Sequence, residues 1–271
     1  MLQQIIFILV SVLALGFAAW QFSKIRRNIL LGQDETLTLD PAQSWRNVLL
    51  VAFGQKKMFK NWIPAVFHFF IYAAFLLTQI ELIEIFIDGF GGVHRFFAPM
   101  LGGFYTFVIS FIEILSILAF VATVIFLIRR NILKVNRFEK PEMTGWPKRD
   151  ANIILFLEII LLIGIFSMNG ADVLLQDMDA AHYPETGTLA VSSWLGPMLF
   201  GGLSESALHT VERFGWWLHI LTVFAFLNYL PISKHLHIIF AFPNTYFAKQ
   251  KPRGEMENMP EIMNEVKSMM G

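Results

Sequence analysis

The stretch Trp216–Phe240, WWLHILTVFAFLNYLPISKHLHIIF, decides how this chain is read. It is almost wholly apolar and long enough to cross a hydrocarbon core of ~30 Å. Yet it carries three histidines, His219, His235 and His237. Packing in lipid does not call for imidazoles, and an ionisable side chain in such a segment is by default a functional residue. An α-helix advances about 100° and 1.5 Å per residue. His219 and His237 are 18 residues apart, five whole turns. On a continuous helix they share a face, about 27 Å apart along the axis, while His235 points roughly 160° away. Pro231 lies between them and is the residue that would break this phase.

The rest of the chain supports a membrane setting. Of 271 residues, 55% are hydrophobic, 28 are Phe and only 15% are charged, and the mean hydropathy is +0.56. Four further apolar segments stand out, at about 3–22, 62–87, 104–128 and 152–169; the fifth covers about 210–233. Helices are expected because backbone groups in lipid must satisfy one another, and barrel strands would be about half as long. The expected fold is an all-α bundle of five transmembrane helices. The formal net charge is zero, so nothing draws the chain toward nucleic acid; the expected contact is membrane lipid. With no cysteine, it holds no disulfide, no c-type haem and no thiolate-bound iron–sulfur cluster.

The connections differ in charge. Lys24, Arg26, Arg27, Arg46, Lys56, Lys57 and Lys60 lie between segments one and two, and Arg129, Arg130, Lys134, Arg137, Lys140, Lys148 and Arg149 between three and four. The tail adds Lys234, Lys249, Lys251, Arg253 and Lys267. The stretch at about 170–209 has Asp172, Asp177, Asp179, Glu185 and Glu205 and neither Lys nor Arg. The positive-inside rule then predicts an external N-terminus and a cytoplasmic C-terminus in the cytoplasmic (inner) membrane.

Two histidines on one face at two depths suit two stacked haems, each taking one axial nitrogen. The alternative is a histidine hydrogen-bonded to a neighbouring helix. A second ligand must come from elsewhere, and His68 in NWIPAVFHFFIYAAFLL lies toward the cytoplasmic end, as does His237. His94, His182, His209 and His235 are expected at interfaces or in loops, as solvated side chains.

The element PISKHLHI (Pro231–Ile238), with two histidines 18 residues apart on the fifth helix, resembles the b-type cytochromes that include the gamma subunit of respiratory nitrate reductase. It is similar too to the membrane subunit of heterodisulfide reductase. The resemblance implies a transmembrane cytochrome b domain over 1–241 and a cytoplasmic tail over 242–271. It implies haem b, one or two, held by His68, His219 and His237. It also implies electron transfer between a quinone (menaquinone or ubiquinone) and a cytoplasmic iron–sulfur subunit. One element departs from the family: its second helix carries two histidines ten residues apart, whereas here the positions ten away from His68 are Met58 and Thr78. Depth pairs His68 with His237; a single haem between His68 and His219 is the other arrangement.

Further polar groups sit in the apolar segments. Glu81 and Glu84 are expected at an interface; Glu113 and Glu158 are either proton-path groups or neutral, hydrogen-bonded ones. The turn GFGGVHRFFAPMLGG, with His94 and Arg95, is either an interfacial aromatic turn or the wall of a quinone-headgroup pocket. A haem-free anchor for a cytoplasmic enzyme and a transporter are the competing functions; neither would show haem bands in a reduced-minus-oxidised spectrum.

Overall fold

The structure is a computed structural model describing residues 1–33, 37–251, 254 and 259–270; Arg253 of the basic tail lies outside the described residues. Among these residues five helices are long and apolar enough to cross a membrane: α1 (Leu2–Ile29), α3 (Trp62–Gly91), α5 (Gly103–Asn131), α6 (Trp146–Met178) and α8 (Glu205–Tyr229). Shorter helices are α2 (Pro41–Asn47), α4 (Ala98–Leu101), α7 (Ser192–Phe200), α9 (His237–Tyr246) and α10 (Pro260–Met270). The described residues contain no strand. The expected five-helix, all-α bundle is what the structure has.

The chain divides into two compact units, the first comprising Met1–Gln33 and Met58–His237. Here α1, α3, α6 and α8 meet around Phe7, Ile85, Leu162, Ile165, Met168, Trp216, Ile220 and Phe224, all buried, with the partly buried Phe120 of α5 packed against them. The Phe7 ring meets those of Phe86, Phe90 and Trp216 with centroids 5.8, 5.1 and 5.3 Å away, near-edge geometries that aromatic pairs favour. The large apolar side chains Leu9, Leu13, Phe104, Phe107 and Phe111 lie exposed on the helices. Water would not tolerate such surface in a monomer, but lipid chains would cover it.

The pair α6 and α8 packs through glycine. A Cβ on Gly164 would fall 2.8 Å from the His219 nitrogen, and one on Gly215 would fall 2.6 Å from the Met168 nitrogen. Small residues let helix backbones approach in this way in membranes, and here the approach sets the depth of His219.

Two helix boundaries correct the sequence reading. The fourth segment does not stop near 169: α6 continues to Met178, so Asp172 and Asp177 are helical rather than loop residues. The fifth segment does not run unbroken to His237. After Tyr229 comes one 3-10 turn (Leu230–Ile232), then Ser233 with φ −107° and ψ 165°, then a second 3-10 turn (Lys234–Leu236). Pro231 has no N–H to continue the helix. The argument that His219 and His237 share a face over five turns therefore fails, as does the claim that His235 points away from His237.

The second unit comprises Asp34–Lys57 and Ile238–Gly271. Asp40 caps α2 by accepting the Ala42 N–H at 3.0 Å, and Gln250 bonds both the backbone of Asp40 and the Ser44 hydroxyl, each at 2.9 Å. Trp45 meets Tyr246 edge-on at 5.3 Å, and Phe53 meets Phe242 at 4.9 Å. α10 is amphipathic, with Glu261, Glu265 and Lys267 on one side and Ile262, Val266 and Met270 on the other.

Candidate functional site

Two polar regions lie at opposite ends of the long helices. The basic end holds the starts of α3 and α6 and the exits of α5 and α8. The acidic end holds the turn 92–102 and the connection 179–204.

At the basic end, the break after α8 is pinned by Asp150, which is 1% exposed in the first turns of α6. Its carboxylate accepts the Tyr229 hydroxyl at 2.7 Å and the Lys234 backbone N–H at 3.0 Å. Ser233 Oγ accepts the His235 N–H at 3.1 Å. These bonds turn the chain so that the His235 and His237 rings lie 5.5 Å apart, with Phe226 against His235 at 5.5 Å. Burial pushes the His235 imidazole down to about 4, His237 adds to this and Asp150 opposes it; His68 acts on it in the same direction as His237. His68, in the first turns of α3, stands at the same end of the long helices and near enough for its charge to act on His235. The Nδ1 of His237 lies 2.8 Å from the Lys234 carbonyl. An Nδ1–H donating there leaves Nε2 with the lone pair. The Nδ1 of His68 is buried and has no hydrogen-bond partner among the described residues.

His219 is deeper along α8 and 4% exposed. Its Nδ1 is 3.2 Å from the Leu161 carbonyl, so its Nε2 is also the lone-pair nitrogen. Thr78, one of the two positions ten residues from His68, gives its hydroxyl to the Phe75 carbonyl of its own helix at 3.2 Å.

The acidic end overturns several expectations. Glu81 and Glu84 are buried within the protein, 3% and 2% exposed. Arg95 is no belt residue: it is buried, with φ +53°. Its guanidinium reaches the Asn169 Oδ1 at 2.6 Å, the Tyr105 hydroxyl at 3.2 Å, Asp172 at 3.4 Å and Glu81 at 3.8 Å. Burial alone would push Arg95 down, but Tyr105, Asp172, Glu84 and Glu81 outweigh it and hold the group well above its ordinary range. Glu84 accepts the Tyr105 hydroxyl at 2.7 Å and the Phe97 N–H at 2.9 Å; Asp88 accepts the Arg95 and Phe96 N–H groups at 2.8 and 3.1 Å. Glu113 accepts the Val191 and Ser192 N–H groups at 2.8 and 3.1 Å and the Ser192 hydroxyl, and so ties α5 to the start of α7. Glu158 is half-buried on α6.

His94 is half-buried rather than solvated: Nε2 lies 2.5 Å from Asp172 Oδ1, and Nδ1 lies 3.4 Å from Arg213. His209 is also half-buried, with the Tyr183 hydroxyl 3.0 Å from its Nδ1. His235 is half-buried as described, and His182 is exposed as expected. A cavity of about 590 Å³ opens beside this network, lined by Phe7, Asp88, His94, Tyr183, Arg213 and Trp216 among others.

Sequence reasoning missed Asp150 and Asp172. Each is one carboxylate beside a basic or acidic connection, and the available signal was its position within a helical turn of an apolar run.

No family model matches the chain, and no solved structure matches it. Among proteins of described function, it is 24% identical over 273 residues to a probable iron-sulfur-binding oxidoreductase, FadF, of Bacillus subtilis, covering 98% of this chain and 36% of that protein. It is 27% identical over 260 residues to an EtfAB:quinone oxidoreductase of Syntrophomonas wolfei, covering 92% of this chain and 33% of that protein. The chain thus spans about a third of the length of these relatives.

Proposed function

We propose that this chain is the membrane part of a quinone-linked electron-transfer system, a b-type cytochrome that passes electrons between a quinone and an iron–sulfur protein. The observation that carries the reading is the set of histidines at the basic end. The donor set suits haem b: two imidazoles, one with Nδ1 tied to a backbone carbonyl and Nε2 left for iron, one with a buried ring nitrogen lacking a partner among the described residues. A ligating histidine usually gives its other N–H to a carbonyl or carboxylate. His68 and His237 would hold one haem, and His219, with the same tautomer fixed by Leu161, would ligate a second. Bound haem would supply one-electron chemistry, with its potential set by axial ligands and burial. The protein's own part is to fix the imidazole tautomers through Lys234 and Leu161 and to hold the His237 turn through Asp150.

The names of the relatives support the quinone and the iron–sulfur partner. With no cysteine among these 271 residues, cysteine-held clusters would lie outside them. The cavity at the acidic end, with its aromatic and charged wall, is where we place the quinone headgroup. The charge of the connections supports the orientation expected above, with the histidines of the basic end on the cytoplasmic side of the inner membrane.

Pyridine haemochrome assay of purified variants tests the reading. His68→Ala and His237→Ala should each remove the same haem, and His219→Ala should remove the other. His235→Ala should keep haem content, because His237 has the fixed tautomer while His235 packs against Phe226. Full haem content in both His219→Ala and His237→Ala, or none in the wild-type chain, would end the cytochrome reading.

A further inference from the structure

We infer that His94, held by Asp172, is the base that exchanges a proton with a quinone oxygen in the acidic-end cavity; this rests on the quinone reading above.

The argument begins with which cavity group can take a proton. Arg213 is bound side-on to Glu212, one of its nitrogens 2.6 Å from Glu212 Oε1, and a guanidinium has no lone pair to offer. Asp88 has both oxygens engaged by backbone N–H groups. Burial pushes the Tyr183 phenol up, and Glu212 adds to this, so Tyr183 stays a hydroxyl. His94 differs from these three. Its Nε2–H donates to Asp172, a carboxylate with 0% exposure that is itself held by Arg95 at 3.4 Å and Gln176 at 3.0 Å. That leaves Nδ1 with the lone pair. Among the described residues its hydrogen-bond neighbour is Arg213, at a loose 3.4 Å. Tyr183 packs edge-on against the ring at 4.7 Å and fixes its plane. A buried carboxylate behind an imidazole, with the lone pair on the far nitrogen, orients a general base and stabilises the imidazolium that forms.

In quinol oxidation the O–H bond of the headgroup breaks and an N–H bond forms at Nδ1. The pair of electrons from the O–H bond stays on the quinol oxygen, and no electron leaves in this step. The imidazolium is balanced by Asp172, and the oxyanion faces Arg213. In quinone reduction the same nitrogen returns the proton. The exposed His182 on the same cavity wall marks the side on which the proton passes to water.

The test uses the full chain in detergent and two probes followed by quenching of tryptophan fluorescence, since Trp216 and Trp217 line the cavity. Menadione does not ionise. 2-Hydroxy-1,4-naphthoquinone is an anion at neutral pH, and its binding should draw one proton onto His94. Its affinity in the wild type should fall about tenfold per pH unit between the pH at which the free imidazole gives up its proton and the higher pH at which the imidazolium of the complex does, and level off beyond that, while menadione affinity stays flat. Asp88, Tyr183, His182, Arg213 and the Met1 end of α1 also line the cavity, so a slope must be assigned by mutation. In His94→Gln the hydroxyquinone should bind weakly and without pH dependence, with menadione affinity kept within about threefold, which also reports a folded cavity. Asp172→Asn should move the fall in affinity to lower pH, because the imidazolium loses its counter-charge. A flat hydroxyquinone affinity in the wild type, or the same slope in His94→Gln, overturns the inference and leaves the cavity reading standing. A wild-type chain that binds neither probe overturns the cavity reading, and the inference falls with it.

Discussion

The two ends of the bundle handle buried polar groups in opposite ways. At the acidic end Glu81, Glu84, Asp88, Asp172 and Glu113 are each engaged by Arg95, Asn169, Tyr105, Ser192 or a backbone N–H. At the basic end Asp150 is fully used, but the histidines near it are not: among the described residues a ring nitrogen of His68 is buried without a partner, and only one nitrogen of His237 is committed, to a carbonyl. Buried polar atoms are normally paired, so an idle one asks for an explanation. The acidic end satisfies its carboxylates, although the Nε of Arg95 between them is buried without a hydrogen-bond partner among the described residues, and it reads as a fixed charge lattice beside a cavity. The basic end is a set of donors with capacity left over, which suits a cofactor.

The largest effect should come from breaking the lattice. Arg95→Met removes the cation that faces Glu81, Glu84 and Asp172 while keeping much of the side-chain volume. Removing one partner of a buried charge set typically costs about 3–5 kcal/mol. We expect Arg95→Met to lower the thermal unfolding midpoint in detergent by far more than any single histidine substitution at the basic end. A midpoint equal to that of His237→Ala would mean that the two ends are not different in kind.

The helices and the odd histidines were legible because hydropathy is a local average and His in a greasy run is rare. His68, His219 and His237 were all conspicuous in the sequence, and His68 and His237 stand at the same end of the long helices. The reason given for linking His219 to His237 was wrong, since a phase carried over 18 residues does not survive the turns around Pro231. The lattice was much less legible. Whether Glu84 is buried depends on Tyr105 and Phe97, on other elements of the fold, and whether Arg95 is buried depends on Asn169, 74 residues away. Nothing in the local run GFGGVHRFFAPM reports those partners. Asp150 was hidden for the same reason: in WPKRD it looks like one more charge in a basic connection, and its partners Tyr229 and Lys234 lie about 80 residues on.

An intermediate effect should sharpen the contrast from the other side. Asp150→Asn keeps the shape but loses the charge that strengthens two hydrogen bonds, at a cost of about 1–2 kcal/mol. The stability loss should therefore be modest. Its signature should be local: the turn that carries His235 and His237 loosens, so haem content or the haem band position changes while menadione binding at the far end does not. Equal disturbance of both readouts would show that Asp150 acts on the whole bundle rather than on the histidine turn.

The smallest effect should come from a histidine that belongs to neither region's interior. His182 is exposed, with its Nδ1 2.8 Å from Asp179 three residues before it. It lines the same cavity as His94, so residue type and location alone would give the two equal standing. The difference is what stands behind the ring: a fully buried carboxylate for His94 and a partly exposed one for His182. Exposed pairs of this kind contribute about 0–1 kcal/mol and are screened by salt. His182→Ala should leave the unfolding midpoint, haem content and the pH slope of hydroxynaphthoquinone binding at wild-type values. Loss of that slope in His182→Ala would transfer the proton-exchanging role to the exposed histidine, and would show that the buried carboxylate behind His94 is part of the lattice alone.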